Sequence, residues 1–340
     1  MKKKGRLLEI DSLRGIAALS VLFFHFNLWH TSFLKYGCLG VDLFFMISGF
    51  VIFMSISKTA NLKDFWFARF NRLFPAYWLS LIIAVVSFRI FSTFSFHQPL
   101  NFILGNFLMM QPLFKTTNLV DAYWTLYIEL GFYAFISIVW LLKLIDRIEE
   151  LIWVALIAMI VLNSVYLLFP DNASYTRLFI IFRSIMPLIC FFNYFAAGMV
   201  FYNVSVGGLN PNRIALLTVC FLIVALTHTI SGRALHFVGL PGHILVETLF
   251  YVLFILIIKG RAKLLSNKVL LFFGAISYPL YLIHESIGWS FLLFFVKYTT
   301  TAVAVFSALL ISLLLSAIIS YLFETPVHRW LRSKYFKKQL

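Results

Sequence analysis

The stretch "RGIAALSVLFFHFNLWH", residues 14–30, decides what kind of molecule this is. It is a run made for lipid, yet Arg14 opens it and His25 stands eleven positions further on. At 100° per residue, eleven positions return to within about 20° of the starting direction, so the two side chains share one face of one helix. They lie about 16 Å apart along its axis. Arg14 is then expected near a membrane boundary, where its long stem can snorkel, and His25 past the bilayer centre, where a polar ring is costly. An imidazole at that depth is expected to stay neutral, with one ring nitrogen able to take a proton. An interfacial anchor and a hydrogen-bonded core histidine form the ordinary alternative.

The rest of the chain has the same character. Of 340 residues, 62% are hydrophobic and only 12% charged, with 40 Phe, 15 Tyr and 8 Trp. That is far too apolar for a water-soluble domain of this length. An all-α, polytopic membrane protein is predicted, with about ten spans near 12–30, 38–57, 74–92, 122–142, 151–169, 178–201, 214–230, 243–259, 274–296 and 302–322. The segment 101–114, "NFILGNFLMMQPLF", is apolar but short and interrupted by Gly105 and Pro112, which suits a re-entrant or interfacial piece. With ten spans and both termini cytoplasmic, every Lys and Arg except Lys35, Arg89, Lys115, Arg177, Arg183, Arg233 and Lys297 falls on the inner side. The same clustering explains the net charge of +15 without nucleic acid. "MKKKGR" before the first run resembles a secretory leader, but no small-residue cleavage site follows, and a retained span is expected. Residues 1–340 read as a single transmembrane domain with no fused periplasmic domain. Cys38, Cys190 and Cys220 have neither disulfide nor metal-ligand spacing, so no metal is expected.

Two further stretches place charge in or beside the membrane. "FWFARFNRLFPAYW" sets Arg69 and Arg72 three residues apart on one helix face, where they either anchor the inner boundary or form a fork for phosphates; Pro75 is expected to start the third span. "YWTLYIELGFY" sets Glu129 about 10 Å inside the fourth span. A carboxylate at that depth needs a partner, and His25 approaches the same level from the other side, as a base with its orienting acid would. Helix packing through some hydroxyl is the alternative.

Six stretches in order resemble the acyltransferase 3 family of integral membrane acyltransferases. They are "LRGIAALSVLFFH" (13–25), "GVDLFFMISGF" (40–50), "FARFNRLFPAYW" (67–78), "WTLYIEL" (124–130), "ISYPLYLIHE" (276–285) and "FETPVHRWL" (323–331). The resemblance implies transfer of an acyl group, usually acetyl from acetyl-CoA, onto a hydroxyl of a surface or exported carbohydrate. It implies catalytic roles for Arg14, His25 and Glu129 and donor binding by Arg69 and Arg72. Asp42, Ser48, Tyr278, His284 and Glu324 fall in family-like stretches, the first four as substrate-binding candidates. Asp42 would hold a sugar hydroxyl or cap the second helix.

The expected molecule is therefore a bacterial inner-membrane O-acetyltransferase with acetyl-CoA as co-substrate and a lipid-linked or exported glycan, such as O-antigen, capsule or exopolysaccharide, as acceptor. Membrane lipid is its other partner. Arginines at the inner mouth would hold the coenzyme, and a polar track would join them to His25. A transporter or flippase of an acylated or glycan-linked substrate is the competing expectation, because intramembrane charges also mark transport paths.

Overall fold

A computed structural model of the chain describes residues 7–26, 33–91, 98–169, 173–231 and 237–337. Secondary structure among the described residues is entirely helical, as expected where every backbone polar group must be satisfied within its own segment. The elements are α1 (Leu8–His25), a 3-10 turn (Leu34–Leu39), α2 (Gly40–Ile56), α3 (Leu62–Phe91), α4 (Leu100–Phe107), α5 (Trp124–Leu141), α6 (Ile148–Leu168), α7 (Ala173–Ile185), α8 (Phe192–Gly207), α9 (Pro211–Ser231), α10 (Leu240–Ile258), α11 (Lys268–Ile283), α12 (Ser286–Phe295), α13 (Thr301–Ile318) and α14 (Thr325–Lys337).

Among the described residues, six helical segments are long and apolar enough to cross a bilayer, or seven if the bent pair α11 and α12 counts as one span. The ten expected runs differ from these for local reasons. The first, drawn over 12–30, is α1, which starts at Leu8 and so takes in Glu9 and Asp11 as well as Arg14; residues 27–30 lie outside the described residues. The run 178–201 is interrupted between Ile185 and Phe192, giving the short α7 and the deeply buried α8. The run 274–296 bends by 71° between Ile283 and Ser286. The third span does not begin at Pro75: α3 starts at Leu62, where the Asn61 side chain accepts from the Lys63 backbone N–H at 2.9 Å, and it runs through the buried proline. Segment 101–114 is not a crossing, since α4 has eight residues and spans only about 12 Å. Tyr77 holds it by donating to the Asn106 carbonyl at 2.6 Å.

Glycine sets the helix spacing that matters most. A Cβ on Gly274 of α11 would lie 2.3 Å from the Asp11 carbonyl oxygen of α1, and one on Gly15 would lie 2.6 Å from the Gly274 nitrogen. Small residues of this kind let two backbones touch where lipid offers no hydrophobic drive to associate. Gly274→Val is accordingly expected to destabilise the fold by about 1–3 kcal/mol through overpacking. Gly239→Ala, whose nearest new neighbour would be Pro241 Cδ at 3.8 Å, should leave stability within about 0.5 kcal/mol. Thermal unfolding in nanodiscs compares the two.

Candidate active site

Five helices converge on an internal cavity of about 80 Å³. Arg14 enters it from α1, Ser48 from α2, Arg69 and Arg72 from α3, Glu129 from α5 and Tyr278 from α11. Periodicity explains the α2 contribution: Val41, Phe45, Ser48 and Ile52 recur at three or four residues and line one wall. Four polar positions expected from separate stretches of sequence are thus brought together around Ser48 and Tyr278.

Glu129 Oε1 accepts from the Ser48 hydroxyl at 3.1 Å and from the Tyr133 hydroxyl at 2.6 Å. Tyr133 stands one turn beyond Glu129 on α5, a spacing that was visible in "YIELGFY". Arg72 Nη1 donates to Glu324 Oε1 at 2.9 Å, and its guanidinium lies 5.4 Å from the Tyr278 ring centre. Tyr278 in turn donates to the Leu73 carbonyl at 2.9 Å. Glu324 is only 3% exposed and belongs to a π-helical turn, Ile319–Glu324, at the end of α13. Such turns recur at functional sites because the extra residue per turn redirects a side chain.

Arg14 sits 3.7 Å from Asp11 on its own helix. Arg69 makes no salt bridge among the described residues. Its Nη2 reaches Ser55 Oγ at 3.3 Å, the rings of Phe65 and Tyr133 lie 5.5 and 6.0 Å away, and its buried Nε has no hydrogen-bond partner. An unsatisfied guanidinium nitrogen in a cavity lined by two more arginines is a donor whose chemistry suits an anion.

His25 is arranged differently from expectation. It does not line the cavity, and Glu129 is taken up by Ser48 and Tyr133. His25 Nδ1 lies 3.2 Å from Nε2 of His284 and 3.0 Å from the Val21 carbonyl, and the two imidazole centres are 4.9 Å apart in an edge-to-face arrangement. His284 stands at the bend between α11 and α12. Between the histidine pair and the cavity stands Tyr281. Its ring packs 5.7 Å from His284 and 5.6 Å from Phe44, and its hydroxyl pairs with Thr125 at 2.9 Å. Phe44 and Tyr281 both line the cavity, so the polar track expected between the arginines and His25 is divided by this aromatic pair.

Asp42 turns away from the cavity altogether. Its Oδ2 lies 3.2 Å from Nε2 of His243 on α10, and His243 Nδ1 lies 2.9 Å from Nδ1 of His228 on α9. It makes no side-chain cap bond at the start of α2. Sequence reasoning missed this cluster, along with Tyr133 and Tyr281; its signal was one histidine in each of two apolar runs, His228 and His243. No group of three or more His, Cys, Asp or Glu side chains suited to a metal occurs among the described residues.

Comparison with known proteins sets this arrangement in context. Residues 7–321 match the family model described as an acyltransferase domain, acyltransferase 3. A putative acetyltransferase of Acidianus two-tailed virus is 27% identical over 285 residues, covering 81% of this chain and 82% of the viral protein. A putative O-acetyltransferase of Staphylococcus aureus (strain COL) is 24% identical over 321 residues, covering 84% of this chain. The match takes in only 51% of that relative's length. The peptidoglycan O-acetyltransferase OatA of Listeria monocytogenes is 36% identical over 84 residues, 23% of this chain and 13% of that protein. No solved structure matches.

Proposed function

The chain belongs to this acyltransferase family, and from that premise we propose that it is a multi-pass membrane O-acetyltransferase moving an acetyl group from acetyl-CoA to a hydroxyl of an exported or lipid-linked glycan. The donor binds from the cytoplasmic side, where the basic loops gather, with its phosphates on Arg14, Arg69 and Arg72. The acceptor approaches from the other end of α1. His25 takes the proton of the acceptor hydroxyl as that oxygen attacks the thioester carbonyl. The carbon–sulfur bond then breaks, and the departing thiolate receives the proton.

The observation that carries this reading is the cavity itself. It gathers three arginines against Glu129, and one of them, Arg69, has a buried nitrogen with nothing to bond. Arg72 is paired with Glu324 and Arg14 lies near Asp11, but Arg69 has no carboxylate partner among the described residues, and a cluster with that surplus of positive charge suits a polyanionic donor. To reach His25, about 16 Å beyond Arg14 along α1, the coenzyme's thioester arm requires the Phe44 and Tyr281 rings, packed edge-to-face at 5.6 Å, to part. The names of the relatives support O-acetylation; a glycan acceptor is supported by the peptidoglycan of the Listeria protein's name.

The test is expression in a bacterial host making a defined surface polysaccharide, with O-acetyl groups counted by mass spectrometry. Acetyl ester that appears only with the active chain is the expected result. Glycan carried across the membrane without acetylation would overturn the reading in favour of a flippase. In purified protein, Arg69→Ala is expected to raise the KM for acetyl-CoA about tenfold to a hundredfold, the loss of one charge-assisted contact of about 1.5–3 kcal/mol, with a smaller change in kcat.

A further inference from the structure

We propose that His284 is a positioning residue that holds His25 in its Nδ1–H form, making Nε2 the atom that takes the acceptor's proton. This rests on the reading of His25 as the base and adds which atom acts and what selects it.

The assignment follows from what surrounds the two Nδ1 atoms. His284 Nδ1 lies 2.8 Å from the Tyr281 carbonyl and 3.1 Å from that of Leu280. Both carbonyls belong to the last turn of α11. A carbonyl oxygen only accepts, so the ring proton of neutral His284 sits on Nδ1 and its Nε2 presents a lone pair. That lone pair faces His25 Nδ1 at 3.2 Å, so His25 Nδ1 must carry the hydrogen. The Val21 carbonyl, 3.0 Å from the same nitrogen, favours the same placement of the hydrogen and shares it with His284. A bare Nδ1 there would set two lone pairs against each other. In neutral His25 the remaining lone pair is therefore on Nε2.

The chemistry follows from that tautomer. As the acceptor's O–H bond breaks, its proton passes to Nε2 of His25, and the oxygen's electron pair forms the new bond to the acyl carbon. The carbon–sulfur bond of the thioester breaks, and the proton moves on from Nε2 to the thiolate. While His25 is cationic, its Nδ1–H donates toward both Val21 and His284, which strengthens those bonds when the charge appears. His284 touches no reacting atom. The bend after Ile283 is what brings it here: it lies in the break between the two helices, with its ring edge-to-face with that of His25.

Histidine 15N spectra of the full chain in nanodiscs, at a pH where both rings are neutral, test the assignment directly. The wild type should show His25 as the Nδ1–H tautomer. In His284→Ala the Val21 carbonyl alone holds that proton, so the Nδ1–H fraction should fall. CoA release from acetyl-CoA with water as acceptor should lose about 10–100-fold in kcat with KM unchanged, by analogy with the cost of removing a group that orients a metal-binding imidazole. His284→Gln, whose amide oxygen can accept from Nδ1–H, should restore both. A wild-type His25 protonated on Nε2, or a His284→Ala protein unaltered in both tautomer and kcat, would overturn the proposal. Absence of any CoA release by the wild type would instead count against the transferase reading, leaving the tautomer measurement to decide this one.

Discussion

His25→Ala abolishes acetyl transfer while leaving the protein folded: that is the expected result, with kcat lowered by about 10²–10⁴-fold, the usual range for removing a positioned general base. The fold should survive because His25 is the last residue of α1 and is only half-buried. Alanine is a good helix former there and leaves no large void. The nearby packing is carried by others: Leu22 on α1 and Phe26 just after it are buried, and Phe24 packs edge-on against Phe237. Acetyl-CoA binding should be unaffected, since Arg14 lies about 16 Å away along α1 and Arg69 and Arg72 of α3 line the same cavity as Arg14, which His25 does not. The decisive measurement is O-acetyl content of the glycan beside donor affinity and thermal stability of the same preparation. A stable variant with normal donor affinity and normal acetylation would remove His25 from the chemistry. Loss of donor affinity would instead mean that the histidine end and the arginine end form one binding site.

Much of this molecule was legible in its sequence, and what was not has a common physical cause. Hydropathy identified an all-helical membrane protein because the bilayer imposes that solution on any chain this apolar. Helical periodicity put Arg14 and His25 on one face of α1, and both do look toward α11 and its neighbours. The spacing of Arg69 and Arg72 put both guanidinium groups into one cavity. Breaks inside apolar runs were invisible, because an average over some twenty residues has no term for a bend. The 71° turn after Ile283 and the gap after Ile185 are both of this kind. Partners across the fold were invisible as well. Nothing near His25 in the chain announces His284, 259 residues away. Nothing near Asp42 announces His243, because a helix pattern states which face is polar and is silent about what that face meets. The depth argument for Glu129 and His25 failed for a related reason. Two side chains at comparable levels in a bundle can still be separated by one aromatic layer, here Phe44 and Tyr281.

Arg72 allows stability and catalysis to be separated. It is half-buried and pairs at 2.9 Å with Glu324, which is 3% exposed. Arg72→Ala would strand that carboxylate, and removing one member of a buried ion pair costs about 3–5 kcal/mol, chiefly because the other is left unpaired. The lower end is expected here, since Arg72 opens onto a cavity. The single variant should therefore express poorly and unfold at markedly lower temperature. Adding Glu324→Gln removes the stranded charge while keeping a group able to hydrogen-bond, so the double variant should recover most of the lost stability. The two changes must then be strongly non-additive, as contacting partners are. Activity should not follow. If Arg72 holds a phosphate of the donor, the recovered double variant still lacks that guanidinium and its KM for acetyl-CoA stays raised about tenfold or more, a contact of at least about 1.4 kcal/mol. If Arg72 serves only to neutralise Glu324, stability and donor affinity return together. Unfolding temperature and donor KM measured on the same three proteins decide between an arginine that holds the bundle and one that also holds the substrate.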